Sequence, residues 1–211
     1  MTIATAEIRD TAPAPATQPK IHPLWVRLTH WINALAMIVM ILSGWQIYNA
    51  SPLFGFEFSF QITLGDGLAG ALLWHFAAMW LLAINGVVYV TLGLLTGRFR
   101  KKFLPLLPSD VIADAKAAIT LNLSYQNLAI YNAVQKLFYV GVIIAGLLAV
   151  LSGLALWKPV QLQELTALFG GYEAARYVHF FTMTAIAAFF VIHVVMALIV
   201  PKSLRTMITG H

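Results

Sequence analysis

Residues 177–200 read YVHFFTMTAIAAFFVIHVVMALIV. The run holds no Asp, Glu, Lys or Arg, and it is long enough as a helix to cross a hydrocarbon core of about 30 Å. It carries two histidines, His179 and His193, 14 residues apart. On an α-helix, that many steps of about 100° bring a side chain back to within about 40° of its starting direction and about 21 Å further along the axis. One face of one apolar helix therefore presents two imidazoles at two depths. Ionisable groups inside a membrane are rare and usually functional.

The rest of the chain has the same character. Of 211 residues, 60% are hydrophobic and 10% charged, with a mean hydropathy of +0.81. A soluble domain carries about 25% charge, so the expected class is an all-α integral membrane protein. The net charge of +5 does not imply nucleic acid, because basic residues set topology in membrane proteins. There is no cysteine, which excludes disulfides, thiolate-held iron–sulfur clusters and covalent haem attachment. Histidine is the strong ligand that remains.

Four segments are long enough to span: 24–48, 68–95, 133–157 and 177–200. Trp25, Trp31, Trp45, Tyr48, Trp157 and Tyr177 stand near their ends as an aromatic belt. Of the 13 Lys and Arg residues, all but Lys158 and Arg176 fall on the side that holds both termini. The positive-inside rule makes that side cytoplasmic. The expected fold is a four-transmembrane-helix bundle with both termini in the cytoplasm, formed by residues 21–211 behind a disordered cytoplasmic tail over 1–20. That tail contains acids and prolines and no secretory h-region.

The loops carry weaker signals. Phe54, Phe56, Phe58 and Phe60 alternate, which suits a short strand or an interfacial segment. Ser109 and Asp110 predict a surface helix over 109–120, and 161–169 predicts a short helix on the outer side. No internal repeat is evident.

Two further histidines lie within spans. His30 is about 10 Å below the inner surface on the first helix, and His75 about 10 Å below the outer surface on the second. Depth then pairs His30 with His193 on the cytoplasmic side and His75 with His179 on the outer side. Two such pairs can ligate two b-type haems through neutral imidazoles. A lone membrane histidine is more often a hydrogen-bond partner or a proton-handling group; four at matched depths fit that reading poorly. Gly44 follows His30 by 14 residues and Gly86 follows His75 by 11. Each lies on its histidine's face at the other level, leaving room for a haem plane, although small residues also serve ordinary helix packing.

Arg27 and Arg176 each precede a histidine by one turn and are candidate partners of haem propionates; the competing role is topology and snorkelling. Asn132, Gln135 and Lys136 at the inner start of the third helix are candidate quinone contacts, or simply its interfacial start. Asn33, Gln46 and Asn85 are read as helix–helix hydrogen-bond partners. His22 and His211 fall outside the spans and are read as solvated.

The segments HPLWVRLTHWINALAMIVMILSGWQIYNASP, WHFAAMWLLAINGVVYV, YNAVQKLFYVGV, LSGLALW and FGGYEAARYVHFFTMTAIAAFFVIHVVMAL resemble bacterial di-haem cytochromes b, the cytochrome b561 and nickel-iron hydrogenase b-type group. The resemblance covers nearly all of 22–205. It is nearest to the cytochrome b subunits paired with periplasmic molybdopterin oxidoreductases. It implies an inner-membrane protein with two haem b groups, whose axial ligands are His30, His75, His179 and His193, moving electrons between a periplasmic redox partner and quinone. The group also contains self-contained superoxide:quinone oxidoreductases. From the residues alone, a non-redox anchor or transporter stays open, although no Asp or Glu lies in any span to build an ion path.

Overall fold

The computed structural model describes residues 22–98 and 133–210. The tail over 1–20, the helix expected over 109–120, Asn132 and His211 lie outside the described residues, as do the side chains of Gln135 and Lys136. Every regular element among the described residues is helical: α1 (Leu24–Ala50), a 3-10 turn (Phe60–Ile62), α2 (Gly67–Leu95), α3 (Ala133–Trp157), α4 (Gln163–Leu168), α5 (Tyr172–Ile199) and α6 (Pro201–Thr209). Four of these, α1, α2, α3 and α5, are long and apolar enough to cross a membrane. Their outer faces are apolar and open, with Leu73 75% and Leu95 79% exposed, as lipid-facing surface should be.

Helix α1 packs along α2, and α3 along α5. The buried positions are dominated by small side chains such as Ala36, Ser43, Ala71, Ser152, Ala155 and Ala175. Membrane helices gain close backbone contact and dispersion this way, since burial of apolar surface from lipid drives little. Between the two hairpins, aromatic rings make the contact. Tyr48 of α1 meets Phe180 of α5 at 5.1 Å, and Phe76 of α2 meets Trp157 of α3 at 5.2 Å.

Asn85 ties α2 to α1, as expected, donating to the Thr29 carbonyl at 2.8 Å and to Asn33 Oδ1 at 2.5 Å. Asn85→Ala should lower stability by about 1 kcal/mol, the scale of one buried interhelical hydrogen bond. Thermal melts in detergent measure it, and an unchanged melting temperature would refute it. Gln46 differs from expectation: its Oε1 is buried with no hydrogen-bond partner among the described residues.

The phenylalanine-rich loop forms no strand. Its extended backbone is paired instead by a side chain, since Asn49 donates to the Phe58 carbonyl and accepts from the Phe58 amide, both at 2.8 Å. The amide of one residue supplies what a neighbouring strand would. Phe58 stacks on Trp45 at 4.8 Å, and Phe54 packs against Phe180 at 5.3 Å. The loop is thus a cap over the outer ends of α1 and α5. Gly65 allows the chain to turn back into α2, because its φ is +101° and a Cβ there would collide with the Ala71 backbone nitrogen.

Helix α5 starts at Tyr172, five residues earlier than the expected 177, after Gly171 at φ 102°. His179 therefore lies about two turns inside its helix, at a depth matching His75 in α2. Past Val200 the chain folds back as α6, with Pro201 in its first turn. Trp31 Nε1 of α1 donates to the Met207 carbonyl at 3.4 Å, so the start of α1 and the end of the chain share one side. His22 is not solvated: it is 7% exposed, and its Nδ1 lies 3.1 Å from Arg98 Nη2. Gly210, just past α6, lies against its backbone carbonyl.

Candidate functional site

The four intramembrane histidines meet in the expected pairs. His30 of α1 and His193 of α5 have ring centroids 5.9 Å apart at 62°. That separation leaves room for a metal ion between the rings, which would be held by the two imidazoles. Trp31 packs edge-on to His30 at 5.4 Å, and Phe189 stacks on His193 at 5.7 Å and 17°. No hydrogen bond to either ring is found among the described residues. This is an aromatic setting.

The other pair is built differently. His75 of α2 and His179 of α5 lie near enough to interact electrostatically. Each ring is held by a serine of its hairpin partner. His75 Nδ1 is 3.0 Å from Ser43 Oγ of α1, and His179 Nδ1 is 3.0 Å from Ser152 Oγ of α3. The residue after each serine is a glycine on which the ring rests. A Cβ at Gly44 would stand 3.5 Å from His75 Cε1, and one at Gly153 only 3.2 Å from His179 Cε1. Both serines are fully buried.

Gly44 therefore sits at the level of His75. A Cβ on Gly86 would enter open space. Ser43, Ser152 and Gly153 were not singled out from the sequence. Their signal was present as the tripeptide Leu-Ser-Gly, which occurs at 42–44 and again at 151–153.

The two arginines diverge. Arg27 has a buried Nε with no hydrogen-bond partner among the described residues, and its Nη1 lies beside Gly210. Arg176 is engaged: it pairs with Glu173 at 2.9 Å and donates to the Ser51 carbonyl and hydroxyl at 2.5 and 3.1 Å. It thereby ties the aromatic loop to α5. Lys158, the other cation of this side, lies 4.8 Å over the Trp157 ring.

Paired imidazoles within an apolar helical bundle are the setting that a membrane b-type cytochrome needs. The sequence model of the prokaryotic cytochrome b561 family matches residues 21–210, and the chain belongs to that family. It is a multi-pass inner-membrane protein that carries electrons with haem b. Among curated proteins, it is 49% identical over 191 residues to a putative protein-methionine-sulfoxide reductase subunit, YedZ1, of Azospira oryzae, covering 90% of this chain and 96% of that one. No solved structure matches it.

Proposed function

We propose that this chain is the membrane subunit of a periplasmic methionine sulfoxide reductase of the molybdopterin class, delivering electrons to it from quinol through two haem b groups. The observation that supports this reading most is the pairing of four histidines at two levels, together with extensive identity to a relative described as a protein-methionine-sulfoxide reductase subunit. In this reading His30 and His193 hold the cytoplasmic-side haem, and His75 and His179 the periplasmic-side haem. The distribution of Lys and Arg puts both termini in the cytoplasm.

The reductase chemistry sets the direction of flow. Converting a sulfoxide to a thioether and water consumes two electrons and two protons, and oxidation of a quinol releases two of each. Haem supplies one-electron chemistry when bound. The chain's own residues hold the rings, keep water out and fix the two levels. The aromatic cap of Phe54, Phe58, Trp45 and Phe180 shields the outer level, and Arg176 pins it through Ser51. Arg27, whose Nε has no partner among the described residues, is the better placed candidate for a propionate; Arg176 is already paired with Glu173 and bonded to Ser51. Gly86, where a Cβ would enter open space, leaves room for a haem plane, whereas the space beside Gly44 is taken by the His75 ring. Quinone would be met at the inner start of α3, where the sequence holds Asn132, Gln135 and Lys136. A superoxide-oxidising role is less supported, because both cations of the outer side already have partners.

The test is a reconstitution. The purified chain should contain two haems b by pyridine haemochrome, become reduced on adding a short-chain quinol, and be reoxidised by a periplasmic methionine sulfoxide reductase supplied with sulfoxide. Haem that the quinol cannot reduce would overturn the proposal.

A further inference from the structure

We infer that Ser43 and Ser152 are positioning residues that set the tautomer and donor strength of the outer histidines, so that the two histidine pairs hold their haems with different redox properties. The inference rests on the reading of His75 and His179 as a ligand pair.

The argument is one of hydrogen counting. A serine hydroxyl has a single hydrogen. Ser43 gives its own to the Val39 carbonyl at 2.5 Å, with the Met40 carbonyl further off at 3.3 Å. Ser152 does the same toward the Leu148 carbonyl at 2.7 Å and the Ala149 carbonyl at 3.2 Å. Each Oγ then has only lone pairs to offer the ring nitrogen 3.0 Å away. The backbone carbonyls also near the rings, of Met40 for His75 and of Ala149 for His179, can only accept. Every partner around each Nδ1 is thus an acceptor, and Nδ1 must carry the hydrogen. Nε2 is left with its lone pair free, the form in which a neutral imidazole binds a metal.

The glycine after each serine completes the device. It lets the ring lie flat against the helix at contact distance, so the hydroxyl and the backbone fix the same ring from two directions. Among the described residues the device occurs twice, once per hairpin, at the level of His75 and His179. His30 and His193 are steered by aromatic contacts instead. A ligand histidine that donates from its second nitrogen becomes a stronger base. That favours the ferric state, so the outer haem is held at a lower potential than an unsupported pair would give.

The experiment uses the full chain in detergent, with Ser43→Ala, Ser152→Ala and the double variant. Potentiometric titration resolves two haem components in the parent. In the variants the outer component should move to higher potential and its low-spin electron paramagnetic resonance signal should shift, while the inner component stays unchanged. Haem transfer to apomyoglobin from the outer site should speed up by about tenfold. The unchanged inner signal in the same sample reports intact folding. Should the double variant lose the outer haem outright, the single variants decide, since each leaves the other ring held. Unchanged potential, signal and transfer rate would overturn the inference, as would an equal shift of both components. His75→Ala and His179→Ala, run in parallel, separate the two levels of argument. If either keeps both haems, the ligand reading fails; if both lose the outer haem while the serine variants behave as parent, only the role of the serines fails.

Discussion

His179→Ala should halve the haem content of the purified chain, from the two haems b proposed above to one, as measured by pyridine haemochrome. The outer site loses an iron ligand and retains a single imidazole from α2, which is too little to hold a non-covalent haem in a chain without cysteine. The inner pair lies about 21 Å away along α5 and should keep its spectrum. Quinol should still reduce the remaining haem in this variant, while delivery of electrons to the periplasmic enzyme should stop. His30→Ala should give the complement: the outer haem should survive and quinol should no longer reduce it. Loss of the inner signal in the first variant, or of the outer signal in the second, would overturn the pairing.

Gly153→Val should be the most damaging substitution outside the four histidines. Helix propensity alone predicts the reverse, because replacing a helical glycine gains up to about 1 kcal/mol. Here even a Cβ would stand 3.2 Å from His179 Cε1. A β-branched side chain has little rotamer freedom in a helix, so the ring must move. Overpacking of this kind costs about 1–3 kcal/mol, and the displaced ring loses its alignment with Ser152. Outer haem occupancy should fall while the inner haem remains. Gly44→Ala is the contrast: at 3.5 Å from His75 Cε1 its methyl makes an ordinary contact, and haem content should stay near that of the parent. Absorbance spectra of the two variants side by side measure the difference, and full outer occupancy in Gly153→Val would refute the steric argument.

The spans were legible because nothing but a membrane helix accommodates runs such as 177–200. The histidine pairs were legible because helix rise converts sequence spacing into depth. The start of α5 was placed late, since Glu173 and Arg176 interrupt the apolar pattern; the structure pairs them with each other and extends the helix past both. Of the two readings of the loop over Phe54–Phe60, a strand or an interfacial segment, the strand is absent. Period two marks an extended chain, and the extended chain is there, but its partner is the Asn49 side chain, which no periodicity reveals. Ser43 and Ser152 escaped notice because a serine in an apolar helix reads as a neutral spacer. Its meaning depends on which ring the neighbouring helix brings alongside. The burial of His22 is hidden for a similar reason: its ring meets Arg98, 76 residues away in sequence.

The packing of α1 on α2 and of α3 on α5, with chiefly aromatic contact between the two hairpins, bears on how the protein is made. Each hairpin can enter the bilayer as a unit while the ribosome is still working. The ligands of each proposed haem come one from each hairpin, so inserting the cofactor is also the step that joins the halves. Cells starved of haem should then accumulate this chain as two loosely associated hairpins open to membrane proteases, and its abundance should follow haem supply even where its messenger level does not.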